Sequence, residues 1–154
     1  MTDEHCPDVS RKAPEHDLFK PFEGEFRAEV RFFMGSGEPH VTGGLMRNDL
    51  DLDGRFLRQH FTGDPDDNAL PGFEGRGYWG FNTATKQFEG FWIDSASTFM
   101  MTETGEYDPG ARAWSMVGEV VNPQTGRPMK KRSVITLVDD DHHTMDQYFE
   151  GPDG

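Results

Sequence analysis

From Phe26 to Phe32 apolar and charged side chains alternate without a break, Phe26-Arg27-Ala28-Glu29-Val30-Arg31-Phe32. That is the period of a strand with one buried and one wet face. Further strand segments are predicted at about 40–50, 55–62, 73–82, 86–94, 98–107, 112–121, 130–138 and 142–149. Turn formers separate nearly all of them: Gly35-Ser36-Gly37-Glu38-Pro39, Asp53-Gly54, Gly63-Asp64-Pro65-Asp66-Asp67-Asn68, Asn82-Thr83-Ala84-Thr85, Asp108-Pro109-Gly110, Asn122-Pro123-Gln124-Thr125-Gly126 and Asp139-Asp140-Asp141. Connections this short hold no crossover helix, so neighbouring strands are expected to pair antiparallel in a meander. Ahead of the strands, Pro14-Glu15-His16-Asp17-Leu18-Phe19-Lys20 reads as a short helix, begun by Pro and acidic residues and halted by Pro21. Too short to stand alone, it must lay Leu18 and Phe19 against something apolar. Residues 1–13 read as a disordered lead-in and 14–154 as one domain.

Nine antiparallel strands do not stay flat, because twist accumulates and open edges invite aggregation. Closure into an all-β, antiparallel up-and-down barrel resolves both; a Greek-key sandwich needs long crossovers that this chain lacks. A barrel of about nine or ten strands with the helix capping one end is therefore predicted, and an interior of this size holds one small ligand. Composition agrees: thirteen Phe outnumber seven Leu, while 18 Gly and 10 Pro punctuate the chain.

The 154 residues carry 28 acidic against 15 basic side chains, a net charge of −13. Nucleic acids and anionic membrane surfaces both demand a basic footprint, so neither is an expected partner. The chain has no apolar run long enough to span a bilayer, and Met1-Thr2-Asp3-Glu4-His5-Cys6-Pro7 is too acidic for a signal peptide. A soluble cytoplasmic protein is the expectation. The single Cys6 excludes an internal disulfide and supplies no cysteine cage for a metal.

Gly75-Arg76-Gly77-Tyr78-Trp79-Gly80-Phe81-Asn82, Phe91-Trp92-Ile93-Asp94-Ser95 and Gly105-Glu106-Tyr107-Asp108 come in an order that resembles domain-of-unknown-function family 1579, a group of uncharacterised bacterial proteins. Gly54-Arg55-Phe56-Leu57 upstream, and Asn122-Pro123-Gln124-Thr125-Gly126 followed by Arg132 downstream, share the resemblance, which runs from about His16 to the end of the chain. It implies a lipocalin-like (calycin-type) barrel and no established activity. Phe26 stands where the family pattern has Trp in Gly-x-Trp, and Phe81-Asn82 where it has Tyr-Asp. The aromatic of Gly-x-Trp plugs one end of such barrels, a structural role that Phe26 can fill as a core residue.

Candidate chemistry is sparse. Asp94 lies two residues after Trp92, hence on the same strand face. If inward, it is a carboxylate in a partly apolar cavity; otherwise it ends the strand and binds turn amides with Ser95. Phe56, Arg58 and His60 share one face of their strand and Leu57, Gln59 and Phe61 the other. An inward Arg58 and His60 would suit an acidic ligand, whereas an outward pair would meet the acidic surface. His142-His143 follows three Asp residues, yet adjacent strand residues face opposite ways, so a shared metal ion is not expected. Met100, Met101 and Met116 fill a core or line an adaptable pocket. In Lys130-Lys131-Arg132, Lys130 and Arg132 share a face, and one inward Arg is the expectation there.

These features point to non-catalytic binding of a small apolar or amphipathic molecule inside the barrel, with Arg58, His60, Tyr78, Trp92, Asp94, Met101 and Arg132 as candidate contacts and no metal or cofactor. The rivals are an isomerase or hydrolase using Asp94 and His60 as acid and base, and a packed interaction module. The chain stops at Glu150-Gly151-Pro152-Asp153-Gly154, hairpin residues that in related sequences precede one more strand. With nothing following, strand 142–149 or 24–34 has an unpaired edge, and a homodimer through sheet edges or aromatic patches is expected. The alternative is a shortened chain patched by its N-terminal segment.

Overall fold

A computed structural model describes residues 8–33, 35–67 and 70–151. Cys6 and Pro152-Asp153-Gly154, which entered the readings of disulfide and metal chemistry and of the chain end, lie outside the described residues. The strands are β1 (Gly24–Phe32), β2 (His40–Asp51), β3 (Phe56–Gly63), β4 (Glu74–Asn82), β5 (Gln87–Asp94), β6 (Met101–Asp108), β7 (Ala113–Val121), β8 (Pro128–Leu137) and β9 (His143–Phe149). All nine form one antiparallel sheet in chain order, curled into a half-barrel and consistent with the lipocalin-like barrel expected.

Strand bounds depart from the alternation by at most about three residues, most at β6. There residues 98–100 belong to the connection after β5, whose start is pinned to β4: Ser95 N–H donates to Glu74 O at 2.8 Å, and Glu74 N–H donates to Ser95 Oγ at 3.0 Å. On one face of the sheet Leu57, Trp79, Phe81, Phe88, Trp114, Met116, Ile135 and Leu137 form the core. That face is the inside of the half-barrel.

The helix is 3₁₀ and runs from Pro14 to Phe22, through Pro21. With three residues per turn, side chains at i and i+3 eclipse, so His16, Phe19 and Phe22 share one face, and all three are buried. Leu18, paired with Phe19 in the sequence reading, is only partly buried. The helix fills one end of the inner face, where Phe22 meets Trp114 at 5.2 Å and Trp79 at 5.8 Å between ring centroids, and Phe19 meets Phe88 at 5.9 Å.

Among the described residues β1 pairs with β2 alone and β9 with β8 alone. At the helix end rings bridge this seam: His143 of β9 stands 4.8 Å from both Phe22 and Phe26 of β1. Phe26, expected as a core aromatic, is half-buried and takes part in this bridge through His143. Residues 8–13, expected to be a disordered lead-in, lie along the β2–β3 turn, where Arg55 donates to Ser10 O at 2.9 Å and Lys12 to Asp53 O at 2.7 Å. Among the described residues no helix is long and apolar enough to cross a membrane.

Candidate functional site

Directly opposed residues in a ladder point to the same side, so the registers sort every candidate by face. Trp92 pairs with Met101, which places both, and Asp94 two residues on, on the inner face. Arg58 pairs with Tyr78, and both face outward with His60 two residues along β3. Arg132 also faces outward, beside Lys130, and stacks its guanidinium 4.8 Å over Tyr148. The expected inward Arg is therefore corrected: the inward basic residue of β8 is Lys131. Its strand carries the reason, because Ile135 and Leu137 share the parity of Lys131 and are buried in the core.

The outward candidates are held by other partners. Arg58 donates to Asp49 Oδ2 at 3.1 Å, and this carboxylate raises the guanidinium above its ordinary pKa. His60 lies 3.8 Å from Glu74. Tyr78 donates to Asp51 Oδ2 at 3.0 Å and stacks on Phe91 at 5.8 Å. Asp94 and His60 stand on opposite faces of the sheet, so they cannot act as acid and base on one substrate atom. Asp94 also binds its turn, as the alternative reading had it: Ala96 N–H donates to Oδ1 at 3.0 Å, and Trp92 Nε1–H to Oδ2 at 3.1 Å. His142 is bound to Asp139 at 2.8 Å, while His143 is half-buried against the Phe22 and Phe26 rings, so the two have different partners. Among the described residues no group of three or more His, Cys, Asp or Glu is gathered as for a metal.

Beyond the reach of the helix, the inner face has a different character. Trp92 lies flat across β4 because Gly75 and Gly77 are bare there; a Cβ on Gly75 would sit 2.0 Å from its ring. Met101, Val120 and Met129 continue the row beside it. One row toward the helix come Glu103 on β6, Gly118 on β7 and Lys131 on β8, directly opposed. Gly118 leaves no side chain between them, so Glu103 and Lys131 reach each other across β7. Lys131 Nζ stands 3.5 Å from Glu103 Oε2, and Ser133 Oγ–H donates to the same oxygen at 2.8 Å. The side chains of Lys131 and Glu103 are 4% and 10% exposed.

A charge pair this well covered had no place among the sequence candidates. Desolvating two ions costs several kcal/mol each, and apolar replacements of similar volume are often as stable or more so. Core stability alone therefore does not account for Glu103 and Lys131, and the apolar row with this pair beneath it is the candidate site. Tyr78 lines a groove of about 790 Å³ between Val9–Lys12 and the outer-face residues Phe56, Tyr78 and Phe91, and the lining of this groove extends to Glu103.

Residues 11–154 match the family described as Protein of unknown function (DUF1579). Among curated proteins no match to the chain was found.

Proposed function

Since the chain belongs to the DUF1579 family of proteins of unknown function, its role must be read from its own surfaces, and we propose that it binds a small, mostly apolar molecule in the open half of the half-barrel without transforming it. The observation that carries this reading is the covered Glu103–Lys131 pair below the row of Trp92, Met101, Val120 and Met129. Apolar lining with a few convergent polar groups is the common make-up of a ligand site. The outer groove at Tyr78 has the volume for a ligand, but Tyr78 and Asp51 there already satisfy one another. Native mass spectrometry of freshly purified protein tests the proposal. A co-purifying small molecule that a Trp92→Ala variant retains poorly is the expected result. A bare mass in repeated preparations, with no heat of binding from apolar or amphipathic probes, would favour a packed interaction module.

The partner that best fits the open seam is a second copy of the chain. Along β9, Met145, Tyr148 and Phe149 are 41%, 51% and 49% exposed, on both faces of an edge that pairs with no further strand among the described residues. Such an edge is a template for strand pairing. Light scattering should give twice the 17.5 kDa chain mass at high concentration. A monomer mass throughout would reject the dimer.

A further inference from the structure

Resting on the binding role above, we infer that the polar end of the ligand is a neutral hydrogen-bond acceptor, a ketone or alcohol oxygen, received by the ammonium of Lys131. An ammonium carries three protons. The Glu103 oxygen that faces it is 3.5 Å away, longer than the usual 2.7–3.2 Å of an N–H···O bond. Glu103 Oε2 is better bonded to Ser133, at 2.8 Å. Lys131 is thus neutralised in charge while keeping protons to donate.

This charge balance decides the ligand class. A carboxylate arriving at Lys131 would compete with Glu103 for the only cation of the cluster and leave one of two anions uncompensated in a covered place, which is strongly unfavourable. Asp94 adds a further negative group on the same face, and the chain as a whole carries −13. The arginines that would suit an acid, Arg58 and Arg132, face outward. A cationic amine would in turn meet the Lys131 ammonium head on. A neutral oxygen takes up the spare donor and disturbs neither partner, while its hydrocarbon part lies along Trp92 and Met101.

Four eight-carbon probes separate the possibilities by isothermal titration calorimetry near neutral pH: 2-octanone, 1-octanol, octanoate and octylamine. The ketone and alcohol should bind about tenfold more tightly than octanoate, about the value of one hydrogen bond from a charged donor. In the double variant Lys131→Met with Glu103→Leu, which removes the pair without stranding either charge, ketone and octanoate should come within about threefold of each other. A second readout needs no variant. The carbonyl carbon resonance of bound 2-octanone should lie downfield of its position in alkane, as for a carbonyl accepting a hydrogen bond. Octanoate or octylamine binding as tightly as the ketone, a preference that survives in the double variant, or an alkane-like carbonyl resonance would each overturn the inference and leave the binding role standing. Binding by none of the four would overturn the binding role itself.

Discussion

At the helix end of the half-barrel, strands are joined by four short turns, 52–55, 83–86 and 109–112 of four residues and 138–142 of five, and the inner face is closed by Phe19, Phe22, Trp79 and Trp114. At the opposite end the connections 33–39, 64–73, 95–100 and 122–127 are longer, and the same strands carry Trp92, Met101, Glu103 and Lys131 on their inner side. Both ends use bare glycine backbone to seat large side chains. They differ in what is seated: mainly rings and aliphatic groups at one, with the amide of Asn48 donating to Phe22 O, and an ion pair beneath an incomplete apolar row at the other. The helix packs against the closed end and stops short of the other, which is where the proposed binding site lies.

The largest expected effect compares one aromatic from each end. Phe22 is 1% exposed and touches both Trp79 and Trp114. Phe22→Ala should cost about 3–5 kcal/mol, the transfer term plus a cavity that a β framework cannot collapse into. Trp92→Ala, at a half-buried position, should cost under about 2 kcal/mol despite the larger side chain removed. Urea unfolding monitored by circular dichroism measures both. Equal costs would show the open end to be as tightly packed as the closed one.

Breaking the ion pair sharpens the contrast. Lys131→Met should cost about 3 kcal/mol by leaving the Glu103 carboxylate covered and uncompensated, whereas Lys131→Met with Glu103→Leu should return to within about 1 kcal/mol of the parent. If the double variant is as unstable as the single one, the pair holds the fold and its functional reading loses its support.

A smaller effect is a pH dependence that belongs to the closed end. Burial between Phe22 and Phe26 lowers His143 below its ordinary 6.5. The unfolded chain then takes up a proton at higher pH than the folded one, so this stability is fully present above 6.5 and is lost as the pH falls from 6.5 toward the folded value. His142, raised above 6.5 by Asp139, acts in the opposite sense: its contribution is present below 6.5 and is lost as the pH rises through its folded value. Comparing urea midpoints at about pH 7.5 and 5.5, a window set by ordinary histidine titration, the parent should lose more stability on acidification than His143→Phe. Equal losses would mean that His143 is charged without penalty.

The smallest effect lies in the turns. Lys86 adopts φ +60°, where Asn82 folds the β4–β5 turn by accepting from Ala84 and Thr85 N–H. Lys86→Gly relieves the Cβ strain and should raise stability by up to about 1 kcal/mol, read as a higher melting temperature.

Alternation and turn residues made the nine strands and their order legible, because each strand has one wet face and short connections leave only meander pairing. The helix was placed, but its three-residue period was not foreseen: the buried set His16, Phe19 and Phe22 is legible only once 3₁₀ geometry is assumed. The site was half legible. Alternation groups Arg58 with His60 and separates Lys131 from Arg132, but it does not say which group faces in. For β8 the signal was present in Ile135 and Leu137, two and three pairs of residues beyond Lys131 on its own face. For β3 both faces carry Phe, and only the packing against the helix decides between them. Glu103 was invisible because its meaning depends on the row Glu103, Gly118 and Lys131, a register across three strands that no single segment contains.

The claim that the open inner face is the binding site is tested most directly by proton–nitrogen correlation spectra of the indole groups. The chain has three tryptophans, Trp79 and Trp114 in the closed core and Trp92 beside Met101, its Nε1–H donated to Asp94. Titration with 2-octanone should move the Trp92 indole signal together with the Met101 and Lys131 backbone amides, while Trp79 and Trp114 stay in place. Saturable shifts confined instead to Phe56, Tyr78 and Phe91, with the Trp92 indole unmoved, would put the ligand in the outer groove and contradict the account.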